Sequence, residues 1–336
     1  MKLAENKVRR KSMHFEKVEL WEGREDVYLQ TYLAEFDPLL PAPEQELPAI
    51  IVCPGGAYMF FSQKGEGDAV AMNFAAAGYQ VFMLKYTTGS DCGGRPGQYP
   101  TQLLDFGKAI MIIRENAKKW HVDVGRMGIC GFSAGAHLCA TLATRWQEPT
   151  LSEYFKVEPE TFRPAFAILG YPLTDYVFQE EYNATQPANP MLQMSNQFYF
   201  GTLHPTEEQL KDQSPMLHVT ENTPPIFLAH ASNDTMVPVE HSLRMATALR
   251  EKGRPFELHI FRYGEHGFNV GTDILKSEYR IDCYKACHEW INLALKWALQ
   301  IICPETQEHD VTAAELMGDG AFATPPESFD GGFEMP

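Results

Sequence analysis

No stretch of this 336-residue chain approaches the ~20 consecutive apolar residues of a membrane-spanning helix, so none is expected. Positive charge is scarce: 28 Lys and Arg stand against 44 Asp and Glu, for a net charge of −16. A chain so acidic lacks the basic footprint that nucleic acid and anionic membrane surfaces require. Cysteine is sparse and odd in number; the seven residues show neither C-x-x-C pairs nor Cys/His metal spacing, which argues against a disulfide framework and a metal site. The closest pair, Cys283 and Cys287, lies one helical turn apart and suits core packing on an amphipathic helix. The charged opening residues 1–11 run into no apolar stretch, so no secretory leader is expected, and reduced thiols fit a cytoplasmic protein. Internal repeats are absent too.

What the chain does contain is an alternation of apolar runs and helical patterns. Residues 15–20 and 26–32 alternate apolar and polar side chains around Glu22-Gly23-Arg24, which predicts an antiparallel hairpin. The continuous run Ala49-Ile50-Ile51-Val52-Cys53 reads as a strand buried on both faces. Further strands are expected at 79–86, 166–170, 224–229 and 255–261. Helices are expected at 68–77, from Pro100 to about Trp120, at 239–252 and at 278–303. Repeated strand and helix units predict an α/β domain over residues 1–303, with a mostly parallel twisted sheet flanked by helices. Residues 175–223 interrupt the rhythm. They contain no evident strand and many aromatics, and read as a cap-like insertion over the carboxyl edge of the sheet. Residues 304–336 form an acidic tail rich in Gly and Pro; eight acidic residues there face no Lys or Arg, and Phe322, Phe329 and Phe333 are its candidate anchors.

The chemistry centres on Gly131-Phe132-Ser133-Ala134-Gly135, between an apolar run and a helical segment. This is the Gly-x-Ser-x-Gly pattern of a nucleophile elbow. A serine held on a sharp turn crowds the residues two positions away, and glycine fits there because it has no Cβ. The hydroxyl then needs a base, and the base an orienting acid. Asp234 lies in Ser232-Asn233-Asp234-Thr235-Met236-Val237-Pro238, directly after a buried strand. His266 lies in Gly264-Glu265-His266-Gly267-Phe268, also just after a strand. The order Ser133, Asp234, His266 is that of α/β-hydrolase triads. Asp175, close after the strand ending near Tyr171, is the alternative acid.

These motifs, with Pro54-Gly55-Gly56-Ala57-Tyr58, make the chain resemble α/β-hydrolase serine esterases over roughly residues 50–297. It is similar in particular to bacterial acetylxylan-esterase-like and feruloyl-esterase-like enzymes. The resemblance implies catalytic Ser133, Asp234 and His266 and an oxyanion hole built from the backbone N–H groups of Gly56, Ala57 and Ala134. It implies no cofactor and no metal. Pro54 and Ala57 depart from the His-Gly-Gly-Gly of related esterases, and Ala57 is compatible because the donors are backbone groups. Tyr58, Phe198 and Tyr199 are the candidate substrate contacts. With amides such as Asn183, Gln193, Asn196 and Gln197 nearby, the insertion suits a sugar ring. The expected activity is hydrolysis of short acyl esters, with a carbohydrate such as a xylo-oligosaccharide as the alcohol part and a possible homo-oligomer as the assembly. A small serine peptidase of the prolyl-oligopeptidase-like type and a non-catalytic binding protein on the same scaffold are the alternatives.

Overall fold

The computed structural model describes residues 13–34, 46–89, 97–187, 190–270 and 287–303. The chain separates into two compact units, Met1–Ile302 and Cys303–Pro336. The expected tail anchors Phe322, Phe329 and Phe333, the start of the last helix at Glu278, and Cys283 all lie outside the described residues.

Nine strands are found among the described residues: β1 (Met13–His14), β2 (Lys17–Glu19), β3 (Tyr28–Ala34), β4 (Leu47–Cys53), β5 (Gln80–Lys85), β6 (Val122–Phe132), β7 (Ala167–Gly170), β8 (Ile226–Ala231) and β9 (Phe256–Phe261). They form one sheet in the order β1-β3-β5-β4-β6-β7-β8-β9, with β2 pairing on β3. The expected hairpin is present, with Val18 opposite Leu29. From β5 through β9 every pairing is parallel. Every residue of β5, β7 and β8 is buried. Burial on both faces explains why these strands are dominated by consecutive apolar residues and do not alternate.

One helix is shorter than its sequence suggests. The helix after Pro100 spans Thr101–Glu115 and not the full run to Trp120. Trp120 instead turns into the sheet, where its ring meets Phe82 at 5.2 Å. The helix Pro149–Phe155, with Pro at its first turn, is an element the apolar pattern did not mark.

Among its described residues the insertion contains helices joined by loops and no strand, as its lack of strand pattern implies. The helix Tyr176–Thr185 starts where the Asp175 side chain accepts from Phe178 N–H. Thr206 and Gln209 form a reciprocal capping box for Glu207–Asp212. Two buried histidines fasten this layer to the body. His137 Nε2 lies 2.9 Å from the Gln213 carbonyl, which can only accept, so Nε2 carries the proton and Nδ1 accepts from the Tyr58 hydroxyl at 2.6 Å. His241 Nδ1 accepts from Thr174 and Asp175 N–H, leaving Nε2–H to donate to Gln179 Oε1 at 2.8 Å.

Both rings are thus neutral. Burial pushes His137 down to about 4 and His241 well below the usual imidazole range. An unfolded histidine protonates near pH 6.5, so the stability supplied by neutral His137 is complete above that pH and is lost as the pH falls toward its folded value. The stability gap between wild type and His137→Gln should therefore narrow by roughly 2 kcal/mol from pH 7 to pH 5. Urea unfolding at the two pH values measures it, and a constant gap would contradict the neutral, buried imidazole.

Candidate active site

Ser133 occupies the single residue between β6 and the helix Ala134–Arg145, at φ 51° and ψ −120°. Positive φ at a serine costs about 1–3 kcal/mol and persists only where neighbours over-determine it. Here they do. Ser133 N–H donates to the Gly170 carbonyl of β7 at 3.1 Å, and the Ser133 carbonyl accepts from His137 N–H at 2.9 Å. A Cβ on Gly131 would collide with the Gly135 carbonyl, and one on Gly135 with the Cys53 carbonyl. The two glycines therefore let the turn close and let the helix start against the end of β4.

The strand ends bring the remaining groups together. His266 Nε2 lies 2.8 Å from Ser133 Oγ, and His266 Nδ1 lies 2.8 Å from Asp234 Oδ2. Since ionised Asp234 can only accept, Nδ1 carries the proton and Nε2 faces the serine hydroxyl as an acceptor. Asp234 Oδ1 accepts from Met236 and Val237 N–H at 3.0 and 2.9 Å. Its Oδ2 is also 3.3 Å from Nε2 of fully buried His230. Burial alone would raise this carboxyl. Electrostatic attraction to His266 and hydrogen bonds from His230 and His266 outweigh it and hold Asp234 well below the usual carboxylate range. Asn233 Oδ1 accepts from Gly264 and Glu265 N–H, tying the acid loop to the histidine loop. Trp290 Nε1 closes the far end of that loop on the Asn269 carbonyl at 2.7 Å.

The loop Pro54–Tyr58 lies alongside. A Cβ on Gly55 would come within 2.9 Å of Ser133 Cβ, and one on Gly56, at φ 131°, would strike the Phe60 carbonyl. Ala57 and Tyr58 also have positive φ, 53° and 58°. Pro54 does not leave this loop unsupported. Its carbonyl accepts from the Tyr86 hydroxyl at 2.7 Å, and Gly55 N–H donates to Glu66 Oε2 at 2.7 Å. Tyr171, whose ring centre is 5.1 Å from that of His266, donates its hydroxyl to Glu66 Oε1 at 2.7 Å. Glu66 is buried, which raises its pKa; the bonds from Tyr171 and Gly55 oppose that rise. Ala134 N–H belongs to the first helical turn, whose amides have no acceptor within the helix.

Two expected substrate contacts do not stand. Tyr58 and Tyr199 are each 1% exposed and stack on one another at 4.4 Å, with the His137 ring edge-on to both. They fill the space between the insertion and the elbow helix and are sealed from a ligand. Phe198 is half-buried and lies over Gly89, where a Cβ would overlap its ring. Asp175, the alternative acid, caps a helix and pairs with Arg244 Nη1 at 2.8 Å.

Sequence reasoning missed Glu66, Tyr171 and His230. Glu66 sits in Gln63-Lys64-Gly65-Glu66-Gly67-Asp68, which reads as an ordinary polar loop and carries no local signal. His230 did carry one: it is a polar residue within the buried run of β8, four positions before Asp234. No cluster of side chains suited to a metal ion occurs among the described residues.

Residues 37–249 match the BD-FAE family. Endo-1,4-beta-xylanase B of Butyrivibrio fibrisolvens is 32% identical over 76% of this chain, and the acetylxylan esterase of Xylanibacter ruminicola is 26% identical over 67%. The matches span only 38% and 42% of those longer proteins. An acetyl ester-xyloside bifunctional hydrolase from Caldicellulosiruptor lactoaceticus, known as a crystal structure, is 31% identical with a TM-score of 0.65. That likeness covers 88% of this chain and 98% of the other. With its parallel sheet and elbow, the chain belongs to the BD-FAE family, among the carboxylic ester hydrolases of the α/β-hydrolase superfamily.

Proposed function

We propose that the protein is a serine esterase that removes acetyl or similarly short acyl groups from carbohydrates, xylo-oligosaccharides being the leading class. The observation that carries the catalytic part is the continuous hydrogen-bonded chain Ser133, His266, Asp234. Ser133 Oγ attacks the ester carbonyl while its proton passes to His266 Nε2. The tetrahedral oxyanion is held by the N–H groups of Gly56, Ala57 and Ala134, at the start of a helix whose dipole favours negative charge. Collapse breaks the bond to the alcohol, which takes the proton from His266 as it leaves. Water then adds to the acyl-enzyme by the same route in reverse and releases the acid. Asp234 stays ionised and stabilises the imidazolium without accepting its proton.

The sugar part is supported by the relatives named as xylanase, acetylxylan esterase and acetyl ester-xyloside hydrolase. The short-chain part is supported by the insertion, whose aromatics Tyr176 and Tyr199 are buried in packing instead of forming an apolar trough. Free, buried Cys53, Cys130 and Cys139 are compatible with a cytoplasmic enzyme.

Ser133→Ala should lower kcat on p-nitrophenyl acetate by about 10⁴-fold or more and abolish labelling by a fluorophosphonate; turnover within tenfold of wild type would reject Ser133 as nucleophile. Because only a neutral imidazole accepts the serine proton, kcat/KM should fall as the solution is acidified, and a rate that stays flat would remove His266 from its role.

Glu66→Ala leaves Gly55 N–H and the Tyr171 hydroxyl without their acceptor, and should reduce kcat by about 10²-fold with a much smaller change in KM. Glu66→Gln keeps one acceptor and should lose less. Equal kcat in all three proteins would show that the loop does not depend on this side chain. Finally, p-nitrophenyl acetate should be hydrolysed faster than the octanoate; the reverse preference would overturn the short-chain assignment.

A further inference from the structure

A cavity of about 460 Å³ opens between the insertion and the loop that carries Asp234, and neither Ser133 nor His266 lines it. Its size falls in the ~300–1,000 Å³ range of small-molecule sites. Glu180, Tyr182, Asn183, Gln193, Asn196 and Thr235 are on its wall. Several of these side chains are held in place by their own bonds. Asn196 Nδ2 donates to Glu180 Oε1 at 2.8 Å, Asn183 Oδ1 accepts from Gln179 Nε2 at 2.8 Å, and the Tyr182 hydroxyl donates to the Thr235 carbonyl at 3.1 Å. Asn196 is only 6% exposed. Among the described residues, Asn196 Oδ1, Asn183 Nδ2 and Glu180 Oε2 are left without a hydrogen-bond partner. The wall thus offers positioned acceptors and a positioned donor to a ligand entering from solvent.

The donor set selects the ligand class. Among the described residues no Lys or Arg lines the cavity and His204 is its one basic side chain, so a phosphate or carboxylate would meet the Glu180 charge with no permanent cation to compensate it. A divalent cation would find one carboxylate and one imidazole, Glu180 and His204, short of the three ligands a metal site needs. A hydrocarbon chain would strip water from the amides and leave them unpaired. Vicinal hydroxyls suit it: each both donates and accepts, and can pair with a carboxylate oxygen on one side and an amide on the other.

We propose that this cavity is an accessory subsite for a neutral oligosaccharide, distinct from the site of bond cleavage. Thr235 follows Asp234 directly and Gln179 Nε2 donates to the Met236 carbonyl at 3.2 Å, so a glycan bound here rests on the loop that holds the catalytic acid. The subsite deepens the carbohydrate part of the proposed function and rests on it, and it gives an esterase a grip on the sugar chain that does not depend on the acyl group.

Calorimetric titration with xylotetraose and with cellotetraose, both free of ester groups, tests binding apart from catalysis. Wild type should bind at least one with millimolar affinity. The double variant Asn183→Ala/Gln193→Ala should weaken that binding by about tenfold or more, with kcat/KM on p-nitrophenyl acetate held within about twofold and melting unchanged. Asn196→Ala, compared at equal folded fraction, should act in the same direction. Absence of binding by wild type at about 20 mM of either sugar, or undiminished binding by the double variant, would overturn the subsite. Aryl acetate turnover by wild type reports the esterase reading separately, so the two fail independently.

Discussion

The close approach of the helix Ala134–Arg145 to the end of β4 is the constraint on which the site depends. Gly135 has no Cβ, so the helix starts against the Cys53 carbonyl, and Gly131 lets the turn before it close on the Gly135 carbonyl. That geometry drives Ser133 to positive φ and presents its hydroxyl at a helix N-terminus beside the Pro54–Tyr58 loop. A side chain at either glycine would separate the serine from that loop. The strain at Ser133 is held by the parallel ladder itself, since its N–H donates to Gly170 at the end of β7.

Around this contact two buried polar systems stabilise groups that would be costly if left alone. One is Asp234, fully surrounded by donors from Met236, Val237, His230 and His266. The other is Glu66, whose two oxygens accept from Gly55 and Tyr171 and so join the strained loop to the residue that packs on His266. Each carboxylate links separate stretches of chain at the carboxyl edge of the sheet. A buried carboxylate with every bond made is a rigid joint, and one with a missing donor is a source of instability.

The insertion is joined to the body by a different device. Tyr58 stacks on Tyr199 and donates to His137, while His137 donates to Gln213 in the insertion. Residues that resemble a binding surface in sequence therefore serve as its fastening. The polar wall of the proposed subsite is contributed largely by the helices Tyr176–Thr185 and Pro190–Phe200.

From the sequence alone, the alternation of apolar runs and helices predicted the parallel sheet, and the local motifs picked out Ser133, Asp234 and His266, which the fold brings within hydrogen-bonding distance of one another. Those features are local in origin: strand periodicity, glycine spacing and loop position are written within a few residues. The shortened helix at Thr101–Glu115, the burial of Tyr58 and Tyr199, and the roles of Glu66, Tyr171 and His230 were decided only in three dimensions. Glu66 and Tyr171 are 105 positions apart, and no periodicity marks a carboxylate that becomes buried because a distant tyrosine and a loop amide meet it. An aromatic residue likewise has the same local pattern whether it faces a cavity or a neighbouring ring, and which of the two it meets depends on where the insertion docks.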